Sequence, residues 1–239
     1  MASSATRASN IGRGKLPRRS LLRAAATSMA FALLIMPMQH GRAGADPTSK
    51  DAASDCFSDD SSRRITGCTA LIEGGAELSA SEKSLAHAMR ALAYSLQSRF
   101  VEALADYDVA IKLKPDFDVA LNNRAWALFK IKRYAEGFSD VQKALKIAPW
   151  SAHAFDTRAH LHHVEGRPQQ ALSDYLLAMR FGGETLVKLY QCGLEAHGLF
   201  KGPIDGKETE DLRKALVSCV RDESCDPLPP DEECRRPTS

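Results

Sequence analysis

The chain has 239 residues, of which 44% are hydrophobic and 26% are charged, values that are typical of a soluble globular protein of one or two domains. Its formal net charge of +2 depends on the first 45 residues, which contain seven Lys and Arg residues and no Asp or Glu. Without that stretch the formal net charge is about −5, so the remaining chain has no basic surface that would favour nucleic acid as a partner.

Residues 1–45 have the composition of an export signal peptide. A mostly apolar run at 24–36 follows the basic residues, and the small residues 43–45 mark a cleavage point. The run has 13 residues, too few to cross a bilayer of about 30 Å, so we expect no stable membrane span after cleavage. An uncleaved signal anchor is the alternative.

The export route is left open by this segment. Residues 17–23 resemble a bacterial twin-arginine signal in the pair Arg18-Arg19 and the two leucines that follow it. Pro17 stands where that signal has serine or threonine, so a Sec signal remains the alternative. Either route predicts a periplasmic or secreted location in a bacterium.

Six cysteines follow the signal peptide, and an even number in an exported chain predicts disulfide bonds. Six cysteines allow 15 pairings, and sequence proximity favours Cys56–Cys68, Cys192–Cys219 and Cys225–Cys234. Since no pair has the Cys-x-x-Cys spacing of a zinc site, we predict neither a metal ion nor a cofactor.

Residues 46–83 are predicted to form a degenerate capping repeat at the N-terminus. After a polar linker at 46–50, short helices are expected at 51–57 and 62–73, and Gly74-Gly75 ends the second of them. Ser79 and Glu82 then have the spacing of a capping box for the next helix.

Residues 84–183 repeat with a period of 34 residues. Each of the three units reads as two amphipathic helices, with small residues where helices must approach closely. Proline follows the second helix in the first two units, and Gly183 takes that place in the third. The recurring positions are Arg90-Ala91, Arg124-Ala125 and Arg158-Ala159; Phe100, Tyr134 and Pro168; Ala103, Gly137 and Ala171; Asp106, Asp140 and Asp174; Tyr107, Val141 and Tyr175; Ala110, Ala144 and Ala178; and Pro115 and Pro149.

This period and its landmarks resemble the tetratricopeptide repeat (TPR) family. The resemblance implies an all-α fold, a TPR helical-hairpin solenoid. After it, the C-terminal cysteines predict a small disulfide-bonded helical bundle. The resemblance also implies a protein or peptide partner held in the concave groove, which the first helix of each unit lines. The predicted groove residues are Leu92, Leu96, Asn122, Trp126, Phe129, Lys130, Asp156, His160 and His163.

The groove has one alternative occupant, because the helix that begins near Glu184 could fold over it and turn it into core. Of the lysine and asparagine residues with which some TPR domains bind a C-terminal carboxylate, only Asn123 has an equivalent here, so we do not predict that mode. His162 falls at a large packing position and is predicted to be a core residue.

The third unit also suggests a His/Asp site. His153, Asp156, His160 and His163 recur on one helix face, but together they span about 15 Å, too far for one metal ion. An enzyme that uses His160 or His163 beside Asp156 is an alternative, although a solvated polar face accounts for the same residues. We predict that the protein is not an enzyme.

Residues 184–222 carry a second resemblance, to small three-helix peptidoglycan-binding-like domains. It depends on Gln191, Leu194, Gly198, Phe200, Gly202-Pro203, Asp205-Gly206 and Ala215-Leu216. The resemblance implies a wall-binding site at Phe200, Pro203 and Asp205, with a structural cap or a site for another protein as alternatives. Residues 223–239 are a Cys- and Pro-rich tail.

These observations predict a non-catalytic exported scaffold or adaptor that binds a protein or peptide partner in its groove. A wall-associated protein that binds peptidoglycan is the second interpretation.

Overall fold

The computed structural model describes residues 49–74 and 77–228, so the predicted signal peptide and Cys234 lie outside the described residues. The regular structure of these residues is helical, which confirms the predicted all-α fold. The helices are α1 (Ser49–Cys56), α2 (Ser61–Glu73), α3 (Ala80–Leu96), α4 (Phe100–Leu113), α5 (Asp118–Lys130), α6 (Tyr134–Ile147), α7 (Ala152–Val164), α8 (Pro168–Ala196) and α9 (Glu210–Cys219).

The helices from α1 to α8 form successive hairpins, α1 with α2, α3 with α4, α5 with α6 and α7 with α8. The second helix of each full repeat begins at a 34-residue landmark, Phe100, Tyr134 or Pro168. Pro115 and Pro149 follow the ends of α4 and α6, because proline cannot donate the next helical hydrogen bond. Ser79 and Glu82 form the predicted capping box at the start of α3.

Each turn between the helices of a repeat contains one residue with left-handed backbone. These residues are Ser98, Lys132 and Gly166, with φ of 58°, 64° and 67°, and they are again 34 positions apart. Only glycine adopts this conformation without a steric penalty, so the first two turns are strained relative to the third.

Small residues allow the helices to approach each other. Ala91, Ala125 and Ala159 are fully buried, as are their counterparts on the second helices, Ala110, Ala144 and Ala178. A larger side chain at these positions would overpack the interface and cost about 1–3 kcal/mol.

A ladder of buried ion pairs joins the two helices of every full repeat. The guanidinium of Arg124 donates to both carboxylate oxygens of Asp140, with N–O distances of 2.6 and 2.8 Å. Arg90–Asp106 and Arg158–Asp174 have the same two-bond geometry at 2.7–2.8 Å. Burial raises the pKa of the Asp106 carboxyl, but the hydrogen bonds from Arg90 and His87 outweigh it and lower that pKa overall.

The helix α8 has a kink at Gly183, whose φ of 60° and ψ of −153° are not helical. Its first part completes the third repeat, and its second part packs on that repeat as an additional helix. The chain from 197 to 209 is a loop, so this segment has two helices rather than the three that the peptidoglycan-binding-like resemblance implies.

Two disulfide bonds are described. Cys56–Cys68 joins α1 to α2, as predicted. Cys219 bonds with Cys225, so the predicted pairs Cys192–Cys219 and Cys225–Cys234 are wrong. The physical reason is that the chain turns back directly after α9 and brings Cys225 onto the end of that helix, while Cys192 is bonded elsewhere.

Candidate functional site

The first helices of the repeats lie side by side along one face, since α3 contacts α5 and α5 contacts α7. On the first two repeats this face is open. Leu96 and Val119 are 57% and 54% exposed, Leu92 is half-buried, and Lys130 is exposed. We call this surface the open half of the groove.

Trp126 and Phe129 form the centre of the groove. Both rings are half-buried and stacked, with centroids 5.1 Å apart. The ammonium of Lys130 lies 5.3 Å from the centroid of the Trp126 ring. This pair therefore offers an apolar surface with a positive charge beside it.

Asn122 is buried beneath this surface, and its side-chain oxygen has no hydrogen-bond partner. Its amide nitrogen donates to the side chain of Asn123 at 3.4 Å. A buried acceptor without a donor is uncommon in folded proteins, and this oxygen is itself shielded from the groove surface.

At the third repeat the groove is closed. His160 aligns with Trp126 one repeat earlier, but its ring is only 3% exposed. It lies among the rings of Trp126, Phe129 and Tyr175, with centroid distances of 5.2, 5.7 and 5.2 Å. Both ring nitrogens are engaged, Nδ1 with the main-chain oxygen of Asp156 at 2.8 Å and Nε2 with Asp226 Oδ1 at 2.9 Å.

Two carboxylates and a buried tyrosine complete this cluster. The Asp156 carboxylate is buried and accepts a hydrogen bond of 2.5 Å from the hydroxyl of Tyr190, which belongs to the second part of α8. The side chain of Asp226 is 47% exposed, so it closes the cluster from the solvent side.

The closing segment consists of residues 222–228, directly after α9, and we call it the closing strap. His163 Nε2 donates to the main-chain oxygen of Asp222 at 3.0 Å. The N–H of Asp226 donates to His197 Nε2 at 3.3 Å. Pro227 is fully buried against Gly193, where any side chain would overlap its main chain.

The charged groups of the cluster shift one another's pKa values. Burial lowers the pKa of His160, but the carboxylates of Asp156 and Asp226 more than offset it and raise that pKa to about 9. Burial raises the pKa of Asp226, yet the hydrogen bond and charge of His160 lower it overall, with a contribution from Lys130. Burial raises the pKa of Asp156, which His160 and Tyr190 offset only in part.

The predicted groove residues thus fall into two sets. Leu92, Leu96, Trp126, Phe129 and Lys130 border the open half of the groove, with Asn122 beneath them. Asp156, His160 and His163 are buried under Tyr190 and the closing strap. The sequence suggested the helix after Glu184 as a cover for this end of the groove, but not the closing strap. The signal for the strap was Asp226, an acidic residue of the C-terminal tail in a chain with a histidine-rich groove end.

The two histidines of the His/Asp alternative, His160 and His163, are buried, with 3% and 7% of their surface exposed. Both nitrogens of His160 are bonded within the protein, so neither is available to a substrate. His153 is exposed on the same helix and is not brought into the cluster by a hydrogen bond in the described part of the chain. Among residues 49–74 and 77–228, no group of three metal-ligating side chains could hold a metal ion.

The residues of the wall-binding hypothesis mostly support their own loop. Phe200 is 3% exposed, and its ring lies against Gly202. Asp205 accepts hydrogen bonds from Gln191 Nε2 at 3.2 Å and from the N–H of Lys207 at 3.0 Å. Pro203 is exposed. Asp205 thus helps to close the loop around the buried Gln191.

Comparison with known proteins bears on the fold. No family model matches the sequence, and no curated protein matches it. Solved structures do match, among them the MamA RS-1 ArsTM double mutant, with a TM-score of 0.50 and 15% sequence identity over 62% of this chain and 81% of that chain. MamA is a TPR-type protein.

The helical hairpins, their 34-residue period and this likeness define the class: the chain has a TPR-like helical-repeat fold. None of the described helices is both long enough and apolar enough to span a membrane.

Proposed function

We propose that this protein is an exported, non-catalytic adaptor that holds a segment of a partner protein in the open half of its groove. The observation that carries the proposal is the contrast within one groove. The chain covers the third-repeat end with its own residues, and it leaves Leu96 and Val119 exposed and the Trp126–Phe129 pair half-buried.

The chemistry of this surface fits a protein segment. A half-buried tryptophan stacked on a phenylalanine is the kind of rigid aromatic anchor that dominates many protein interfaces. Leu96 and Val119 extend the apolar surface on either side of it.

Site-specific photo-crosslinking tests this role. A photoreactive amino acid at Val119 should capture a partner from bacterial envelope extract, whereas the same group at Val101, on α4 and 74% exposed, should not. Trp126→Ala should abolish capture at Val119. Trp150→Ala is the matched control, because Trp150 is 68% exposed in the turn before α7, outside the groove.

Equal capture from Val119 and Val101, or full capture by a folded Trp126→Ala variant, would refute the adaptor role. Circular dichroism of each variant separates loss of the groove surface from loss of the fold.

Export is the second part of the proposal, and the disulfide bonds support it. Cys56–Cys68 and Cys219–Cys225 are structural bonds that join elements of the fold, and such bonds persist in oxidising compartments. Deletion of residues 24–36 should keep the protein in the bacterial cytoplasm with reduced cysteines. Recovery of that variant from the periplasm with intact disulfides would contradict the assignment of residues 1–45 as the signal peptide.

A further inference from the structure

The closing strap makes the contacts that a bound ligand would make. It presents a carboxylate to His160, a main-chain oxygen to His163 and an N–H to His197. Its proline is fully buried, and Leu228 packs against the core. These three contacts use nitrogens of His160 and His163 on α7 and of His197, directly after the end of α8. The occupant is a short, non-helical segment.

The local conformation of the strap is held by Asp226 itself. Its Oδ1 accepts a hydrogen bond from the N–H of Leu228 at 2.9 Å, while the same oxygen faces His160. The Asp-Pro-Leu sequence therefore forms a compact turn, in which proline restricts the backbone and aspartate closes the ring. A separate peptide with this sequence can adopt the same turn, because every bond within it is local.

The site is at the mouth of the groove. Asp226 remains 47% exposed on its side chain, although the His160 ring that it contacts is buried. The charged groups around this contact are Asp156 and His153 on α7, Lys130 at the end of α5, and His163, His197 and Asp222 at the edge of the strap. The Asp226 carboxylate reaches solvent whereas Asp156 is buried, and departure of residues 226–228 would also uncover the surface that Pro227 and Leu228 cover.

We propose that the third-repeat end of the groove is a binding site for an aspartate–proline–apolar segment of the partner protein, which replaces residues 226–228 of the chain itself. This inference rests on the proposed adaptor function and names the chemistry of the partner: an aspartate carboxylate at His160, next to apolar residues that continue onto the Trp126–Phe129 surface.

A partner segment that replaces the closing strap would make the same kinds of contact that the strap makes. The partner therefore needs additional binding free energy from another part of the groove. The strap is tethered to α9, which gives it an effective concentration in the millimolar range. A partner at lower concentration gains the difference from the open half of the groove, which the strap does not cover. Recognition would thus require both the Asp-Pro-apolar turn and the apolar residues beside it.

The test uses residues 45–239, which contain every described residue and form one compact unit. The probe is a fluorescent peptide of residues 224–230 with Cys225→Ser, blocked at both ends so that the Asp226 side chain is its single carboxylate. Fluorescence anisotropy measures its affinity for the parent protein and for the Asp226→Asn protein. Glu223→Gln is the matched control, because it removes the same charge from an exposed position of the strap.

We expect the Asp226→Asn protein to bind the probe about 10- to 100-fold more tightly than the parent, as loss of a hydrogen bond to a charged group releases the strap. The Glu223→Gln protein should bind like the parent. A probe with Asp226→Asn should bind weakly to all three, and adding His160→Gln to the Asp226→Asn protein should remove the gain.

Equal affinities of the parent and Asp226→Asn proteins, or a gain that survives His160→Gln, would overturn the inference. If Asp226→Asn lowers the helix content, Pro227→Gly is the second variant to test. It loosens the strap without changing the Asp226 side chain. Partner capture by crosslinking at Val119 is scored separately. If capture is lost while Asp226→Asn still raises the affinity for the probe, the adaptor role alone is refuted. If capture is retained while the affinity for the probe does not rise, the aspartate site alone is refuted.

Discussion

The His160 cluster should make the stability of the protein depend on pH with a defined sign. The folded state raises the pKa of His160 from 6.5 to about 9, so protonated His160 favours folding. This contribution is fully present below pH 6.5 and is lost as the pH rises through about 9. A difference of about 2.5 pKa units corresponds to about 3 kcal/mol in the free energy of unfolding.

Urea denaturation at pH 6 and pH 9.5, followed by circular dichroism, measures this loss. For a slope of about 2 kcal/mol per molar urea, the midpoint should fall by about 1.5 M between the two pH values. His160→Gln should remove most of that shift, whereas His153→Gln, an exposed histidine on the same helix, should leave it unchanged. An identical shift in the parent and in His160→Gln would refute the reasoning, because the titrating group would then lie elsewhere.

Three further outcomes follow from the fold. Arg124→Leu leaves the buried Asp140 without its cation and should destabilise the protein by about 3–5 kcal/mol in thermal unfolding. Adding Asp140→Leu should recover most of that loss. Arg133→Leu breaks only an exposed ion pair and should cost under about 1 kcal/mol. Gly166→Ala should cost about 1 kcal/mol because of its positive φ, and Ser98→Gly should not destabilise; a neutral Gly166→Ala would contradict the strain argument. Non-reducing peptide mapping should link Cys219 to Cys225, and a link from Cys219 to Cys192 would contradict the structure.

The repeated part of the fold was predictable because its signals are local. The landmarks Phe100 and Tyr134 mark the starts of α4 and α6, and the Ser79–Glu82 pair marks the start of α3. In each case the responsible interaction lies within one or two helical turns, or recurs at a fixed period, so the sequence displays it directly.

The closed end of the groove was not predictable in the same way. His160 and Asp226 are separated by 66 residues, and no period relates them. The Arg–Asp ladder was predictable in part. The arginines and the aspartates each recur every 34 residues in the sequence. Only the packing of the two helices shows that an arginine pairs with the aspartate 16 positions after it. The prediction of Cys56–Cys68 is confirmed, whereas the prediction for Cys219 and Cys225 is wrong because the reversal of the chain after α9 brings Cys225 back to Cys219 before any more distant partner.

The ladder also bears on how the number of repeats can change. Each arginine has its main carboxylate partner 16 residues ahead, inside the same 34-residue unit. Removal or duplication of one whole unit would therefore remove or add a complete Arg–Asp pair. Every ladder arginine would keep its carboxylate, and every buried ladder carboxylate would keep its guanidinium. The contacts of the closing strap involve chiefly α7 and α8, so the groove could gain or lose length at its open end while the strap kept its site.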